Sequence, residues 1–119
     1  ETPYNRMLMW GALLMSLKEI LLKEKKIIIE NRIKKYLTEN GIWHVKYFAN
    51  GFTKAGIPDI LACCNGHFVG IEVKAENGKP SPLQIHNIEK IRESGGYAVI
   101  VKPSQFEELK QLIQELLND

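Results

Sequence analysis

Apolar residues recur at helical spacing between positions 17 and 40. Ile29, Ile33, Tyr36 and Leu37 form one stripe, which predicts a helix with a single buried side. Lys23, Lys25, Lys26, Arg32, Lys34 and Lys35 fill much of the remaining surface, and Asn40-Gly41 supplies a C-terminal stop. The period then shortens to two. Across 42–48, Trp43, Val45 and Tyr47 alternate with His44 and Lys46, as a strand requires. Two further strands are expected at about 57–64 and 67–74. They are joined by Asn65-Gly66, the strongest short-range signal for a hairpin with a type I′ turn. Pro58 lacks an amide hydrogen and belongs at a strand start or edge.

A polar loop over 75–81 leads into a second helix. Ser81 is its expected N-cap, Pro82 its first residue and Gln84 the far side of a capping box, with Ile85, Ile88 and Ile91 inward. Gly95-Gly96 ends it. Residues 97–101 read as a short buried strand. Ser104 and Glu107 suggest a second capping box, opening a last helix with Phe106, Leu109, Ile113 and Leu116 inward. The order is α-β-β-β-α-β-α. Three strands form an antiparallel meander, and the crossover helix returns the fourth strand to the sheet. The expected fold is a single α/β domain with a four-stranded mixed sheet flanked by helices.

The hairpin brings chemistry together. If Cys64 pairs with His67 across the turn, Asp59 falls opposite Glu72. Side chains alternate, so Asp59, Gly70, Glu72 and Lys74 share one face, while Val69, Ile71 and Val73 take the core side. Directly opposed like charges destabilise a sheet by roughly 0.2–1 kcal/mol, so a paired aspartate and glutamate suit a cation between them; an exposed charged sheet face is the alternative. Two carboxylates make a hard, oxygen-rich site that suits Mg²⁺ or Mn²⁺ better than zinc. Such an ion polarises a phosphoryl oxygen and activates water. Lys74, about 6.5–7 Å along the strand from Glu72, is placed to orient or deprotonate the attacking water, or to neutralise charge on phosphorus. Gly70 is expected to leave room for substrate. Glu30 lies on the border of the buried stripe of the first helix; an i,i+4 pairing with Lys34 accounts for it equally well.

Bulk properties add limits. With 119 residues, 45% of them hydrophobic and 25% charged, the chain has the composition of one globular domain. No apolar run is long enough to span a bilayer. Positions 7–15 are apolar apart from Gly11, and the first 16 residues are expected to be a leader or an N-terminal extension, a helical extension that packs on a partner being the alternative. Net charge is +2, with the basic excess on the first helix and the strand after it. That excess suits phosphate backbones or simply a solvated face. Adjacent Cys63 and Cys64 do not suit a mutual disulfide and fit a reducing, cytoplasmic setting. His44, His67 and His86 are scattered and read as surface or satisfied histidines. Trp43, Tyr47 and Phe48 could stack bases, but as strand residues beside a core they read as packing.

The segments Gly56-Ile57-Pro58-Asp59-Ile60, Gly70-Ile71-Glu72-Val73-Lys74 and Ser81-Pro82-Leu83-Gln84 resemble the PD-(D/E)XK nuclease superfamily. More closely, they resemble the virus-type replication-repair nuclease (VRR-NUC) family. The likeness covers roughly residues 30–101. It implies that Asp59 and Glu72 bind a divalent metal, Mg²⁺ or Mn²⁺, joined by the backbone carbonyl of Val73. It further implies that Lys74 is catalytic, and that Glu30 and Gln84 match the first-helix glutamate and the glutamine after the motif. Short stand-alone members are similar to Holliday junction resolvases and form homodimers. The expected function is hydrolysis of phosphodiester bonds in branched or four-way-junction DNA, with Lys46, Lys54 and Lys79 as candidate phosphate contacts. The alternative is a non-catalytic DNA-binding module on the same fold. A phage or prophage origin is compatible with the likeness.

Overall fold

A computed structural model describes residues 2–119. Its elements are α1 (Pro3–Glu39), β1 (Trp43–Lys46), β2 (Ile60–Cys64), β3 (His67–Val73), α2 (Pro82–Glu93), β4 (Tyr97–Val101) and α3 (Phe106–Leu117), with one 3₁₀ turn at Pro103–Gln105 before α3. The sheet order is β1-β2-β3-β4. The first three strands are antiparallel and β4 runs parallel to β3, so the mixed sheet expected from the element order is present.

One face of the sheet carries Ile60, Ala62, Cys64, Val69, Ile71 and Val73. These pack on Ile29, Ile33 and Leu37 of α1 and on Phe106, Leu109, Ile113 and Leu116 of α3. α2 lies over the opposite face, where it packs against β4. The Asn65-Gly66 turn has φ of 51° and 82°, the left-handed pair that a type I′ turn needs. Its register, Cys64 with His67 through Ile60 with Ile71, is the expected one.

Several boundaries differ from expectation. β2 starts at Ile60 because Pro58 has no N–H to give and the Asp59 side chain, not its backbone, meets β3. α1 begins at Pro3, capped by Thr2 Oγ1, and runs unbroken through the segment expected to be a leader or extension. At 1.5 Å per residue it is about 55 Å long, and it accounts for the 65 Å long axis of the molecule. The Ser104–Glu107 box does not form. Ser104 turns to Glu76 through both its N–H and its hydroxyl, and the chain makes a 3₁₀ turn before α3. In α2, Ile85 is exposed, and Asn87 is buried beside Ile88. Trp43 and Val45 do not pack in the core. They face outward, 66% and 39% exposed, while His44 and Lys46 take the inner side. β1 is an edge strand, and α2 covers only the β4 side of that sheet face.

Candidate active site

Asp59, the residue before β2, is held at both ends. Its carbonyl accepts from Tyr47 N at 2.8 Å. Its Oδ2 accepts from Val73 N at 2.8 Å. The carboxylate thus caps the end of the β2–β3 ladder where Pro58 offers no donor of its own. Glu72, near the end of β3, is only 2% exposed. Its Oε1 accepts from Gln84 Nε2 at 3.1 Å and lies 3.6 Å from Lys74 Nζ. Its Oε2 is the one buried side-chain polar atom without a partner among the described residues. Burial, and next the Asp59 carboxylate beside it, push Glu72 up to about 7; Lys74 and, more weakly, Lys26 act in the opposite sense.

Gln84 serves two structures at once. Its Oε1 accepts from Ser81 N at 2.8 Å while its backbone N–H donates to Ser81 Oγ at 3.2 Å, completing the capping box of α2. Its amide nitrogen is thereby turned toward Glu72. One residue therefore starts the helix and ties it to the acid.

Glu30 reaches the site from α1 through a lysine. Lys46 Nζ is paired with Glu30 Oε1 and lies 3.6 Å from Asp59 Oδ1. Lys34, the i,i+4 neighbour, stands 4.0 Å from Glu30. Burial alone would lower the Lys46 ammonium, but Glu30 and Asp59 outweigh it and hold it above its ordinary range. Lys46, expected from the sequence as a flanking phosphate contact, is thus turned inward between two acids. Lys54 and Lys79 are exposed. Lys26, one turn before Glu30, was not singled out by sequence reasoning; its i,i+4 spacing from Glu30 was the available signal.

Gly70 has a different role from the expected one. A Cβ there would lie 3.0 Å from Pro58 Cγ and 3.3 Å from Ile91 Cδ1. The missing side chain admits Pro58 and α2, not substrate. Beside it, an open groove of about 410 Å³ runs between α2 and the sheet, lined by Pro58, Leu61, Phe68 and Ile91, with Lys54 and Lys90 among its lining residues.

The donor set can be tested against the divalent ion that the resemblance implies. Among the described residues, no three His, Cys, Asp or Glu side chains form a metal-holding cluster; Glu30, the third acid, is engaged by Lys46. What remains is two carboxylates, one with a buried, unpartnered oxygen, at a strand end with backbone carbonyls. Magnesium and manganese take few protein oxygens and retain waters, so the residues fit such an ion.

A four-stranded mixed sheet, helices on both faces and an acid–acid–lysine set at the ends of the central strands define a nuclease-type α/β fold. The family model of the archaeal Holliday junction resolvase (Hjc) matches residues 23–117, and the chain belongs to that family. A solved structure described as a VRR_NUC domain aligns with a TM-score of 0.62 and 28% identity, over 73% of this chain and 95% of that one. No curated protein matches the chain.

Proposed function

We propose that the protein is a divalent-metal-dependent endonuclease that hydrolyses phosphodiester bonds in branched DNA, four-way junctions included, and that it acts as a homodimer. The observation that carries this reading is the buried, unpartnered Oε2 of Glu72 beside Asp59, with Lys74 at 3.6 Å from the other oxygen. A buried acceptor without a donor is costly, and a hard cation removes that cost.

Asp59, Glu72 and the Val73 carbonyl would hold Mg²⁺ or Mn²⁺, which when bound polarises the phosphoryl group and activates water. The chain's own residues do the remaining work. The Val73 amide orients Asp59, and Gln84 fixes Glu72 Oε1, so that Oε2 is left free. Lys74 orients the water that attacks phosphorus and offsets the negative charge that gathers on the phosphoryl oxygens as the opposite P–O bond breaks. Lys46 bridges Glu30 and Asp59, offsets their repulsion and holds both in place. Exposed Lys54 and Lys79 meet backbone phosphates, which sets position rather than sequence preference. A symmetric junction offers two equivalent strands, and a two-fold homodimer matches that symmetry. The reading includes a reducing, cytoplasmic setting, which suits the free Cys63 and Cys64. Among the described residues, no helix is long and apolar enough to cross a membrane.

The test uses labelled duplex, flap and four-way-junction DNA with Mg²⁺, Mn²⁺ or EDTA. The expected result is metal-dependent cutting of the junction, with Lys74→Ala slower by on the order of 10²–10⁴-fold. DNA binding undiminished in EDTA, with no cutting in either metal, would instead identify a non-catalytic binding module.

A further inference from the structure

The first half of α1 lies beyond the body of the domain and still presents an ordered apolar surface. Burial on this helix begins only at Leu22, and its fully buried residues are Ile29, Ile33 and Leu37. A second stripe runs along a different side. Trp10, Leu17 and Glu24 repeat every seven residues, as do Leu13, Ile20 and Ile27 three positions on, and the residue after each of the latter is again Leu or Ile. The eight apolar members of this stripe are 48–62% exposed, so nothing in the described chain covers them. A seven-residue repeat of this kind is the pattern of a helix that packs along another helix.

We infer that this stripe is an interface between two copies of the chain, formed by antiparallel pairing of their α1 helices. The inference deepens the homodimer reading above by naming its surface. Two observations select a second copy as the occupant. The first is area. A buried Leu or Ile withdraws on the order of 60–100 Å² from water. Seven such residues and Trp10 on each copy therefore bury roughly 1,000–1,600 Å² in total, within reach of the ~1,200–2,000 Å² of a stable interface. The second is register. In an antiparallel pair, Trp10 meets Ile27 of the other copy, Leu13 meets Glu24 and Leu17 meets Ile20. The stripe is then complementary to itself about a two-fold axis. A parallel pair would set Glu24 against Glu24, and directly opposed like charges are unfavourable.

The test is the solution mass of the full chain by analytical ultracentrifugation, for wild type and for Leu17→Glu/Ile20→Glu. The expected result is a dimeric wild type and a monomeric variant with an unchanged far-UV spectrum. Both substitutions lie on exposed positions outside the core, so folding is retained. A dimeric variant would overturn the α1 pairing while leaving the homodimer standing. A monomeric wild type would overturn both, including one that binds anionic lipid vesicles through this stripe. Spin labels at Asn5→Cys in a Cys63→Ser background read the direction. The antiparallel pair sets them on the order of 40 Å apart, and a short distance across adjacent N-termini would overturn that arrangement.

Discussion

Glu72 is where burial and charge act on one side chain in opposite directions. Its carboxyl is raised to about 7 from the ordinary 4.5, by burial and then by Asp59. A raised acid favours its neutral form in the folded state, so its contribution to stability is full below about pH 4.5 and is lost as pH rises through 7. The metal-free protein is therefore expected to lose stability between pH 5 and 8 relative to Glu72→Gln. The gap in Tm should widen by on the order of 5 °C, measured by thermal melts in EDTA across that range. A gap independent of pH would show that Glu72 is already ionised at pH 5. At the same scale, the sequence placed Asp59, Glu72 and Lys74 on one strand end through alternation and turn type alone. It could not place Lys46, because pairing with Glu30 joins a strand to a helix by a packing angle that no local spacing encodes.

At the scale of elements, two glycines set how α2 seats on the sheet. Gly56 has φ +79°, and a Cβ there would lie 2.6 Å from Leu83 Cγ and 2.8 Å from Asn87 Nδ2. Gly56→Ala meets both a left-handed backbone and a closed space, and is expected to cost about 2–3 kcal/mol, read as a lower midpoint in urea unfolding. Gly70→Ala presses on Pro58 and Ile91 at 3.0 and 3.3 Å. Because Pro58 precedes Asp59, this variant is expected to lose cleavage as well as about 1–2 kcal/mol of stability, measured by junction assay and denaturant unfolding on the same preparation. Gln84 separates two roles of one helix start. Ser81→Ala removes only the cap and should cost about 1 kcal/mol, with cleavage retained. Gln84→Leu also removes the donor to Glu72 Oε1 and should depress cleavage further. The Ser81 box was legible because a capping box is local. The Ser104 box does not form because Glu76, a residue from a distant loop, offers Ser104 a competing acceptor that no local spacing encodes.

For the whole molecule, folding and metal binding are linked. An ion that binds only the folded chain stabilises it by about 2.7 kcal/mol at a hundred times its Kd. Mn²⁺ is therefore expected to raise the Tm of wild type and to leave that of Glu72→Ala unchanged, by calorimetry. The metal is also expected to bind more tightly as pH rises through 7, since Glu72 must lose its proton to serve as a ligand. A Tm insensitive to Mn²⁺ at neutral pH would remove the metal from the proposed chemistry.

What the sequence determined by itself is what repeats or closes within a few residues. This includes the strand alternation, the Asn65-Gly66 turn and its register, the Ser81–Gln84 cap, the apolar stripe at Ile29, Ile33 and Leu37, and hence the fold order and the acid–acid–lysine set. Tertiary structure decided what depends on which surfaces meet. It turned Trp43 and Val45 outward on an edge strand, gave Gly70's space to Pro58 and Ile91, and set Lys46 between Glu30 and Asp59. It also left Glu72 Oε2 buried without a partner. The physical reason is that backbone periodicity and turn strain are properties of a segment. Burial, desolvation and the pairing of charges are properties of the neighbours that packing supplies.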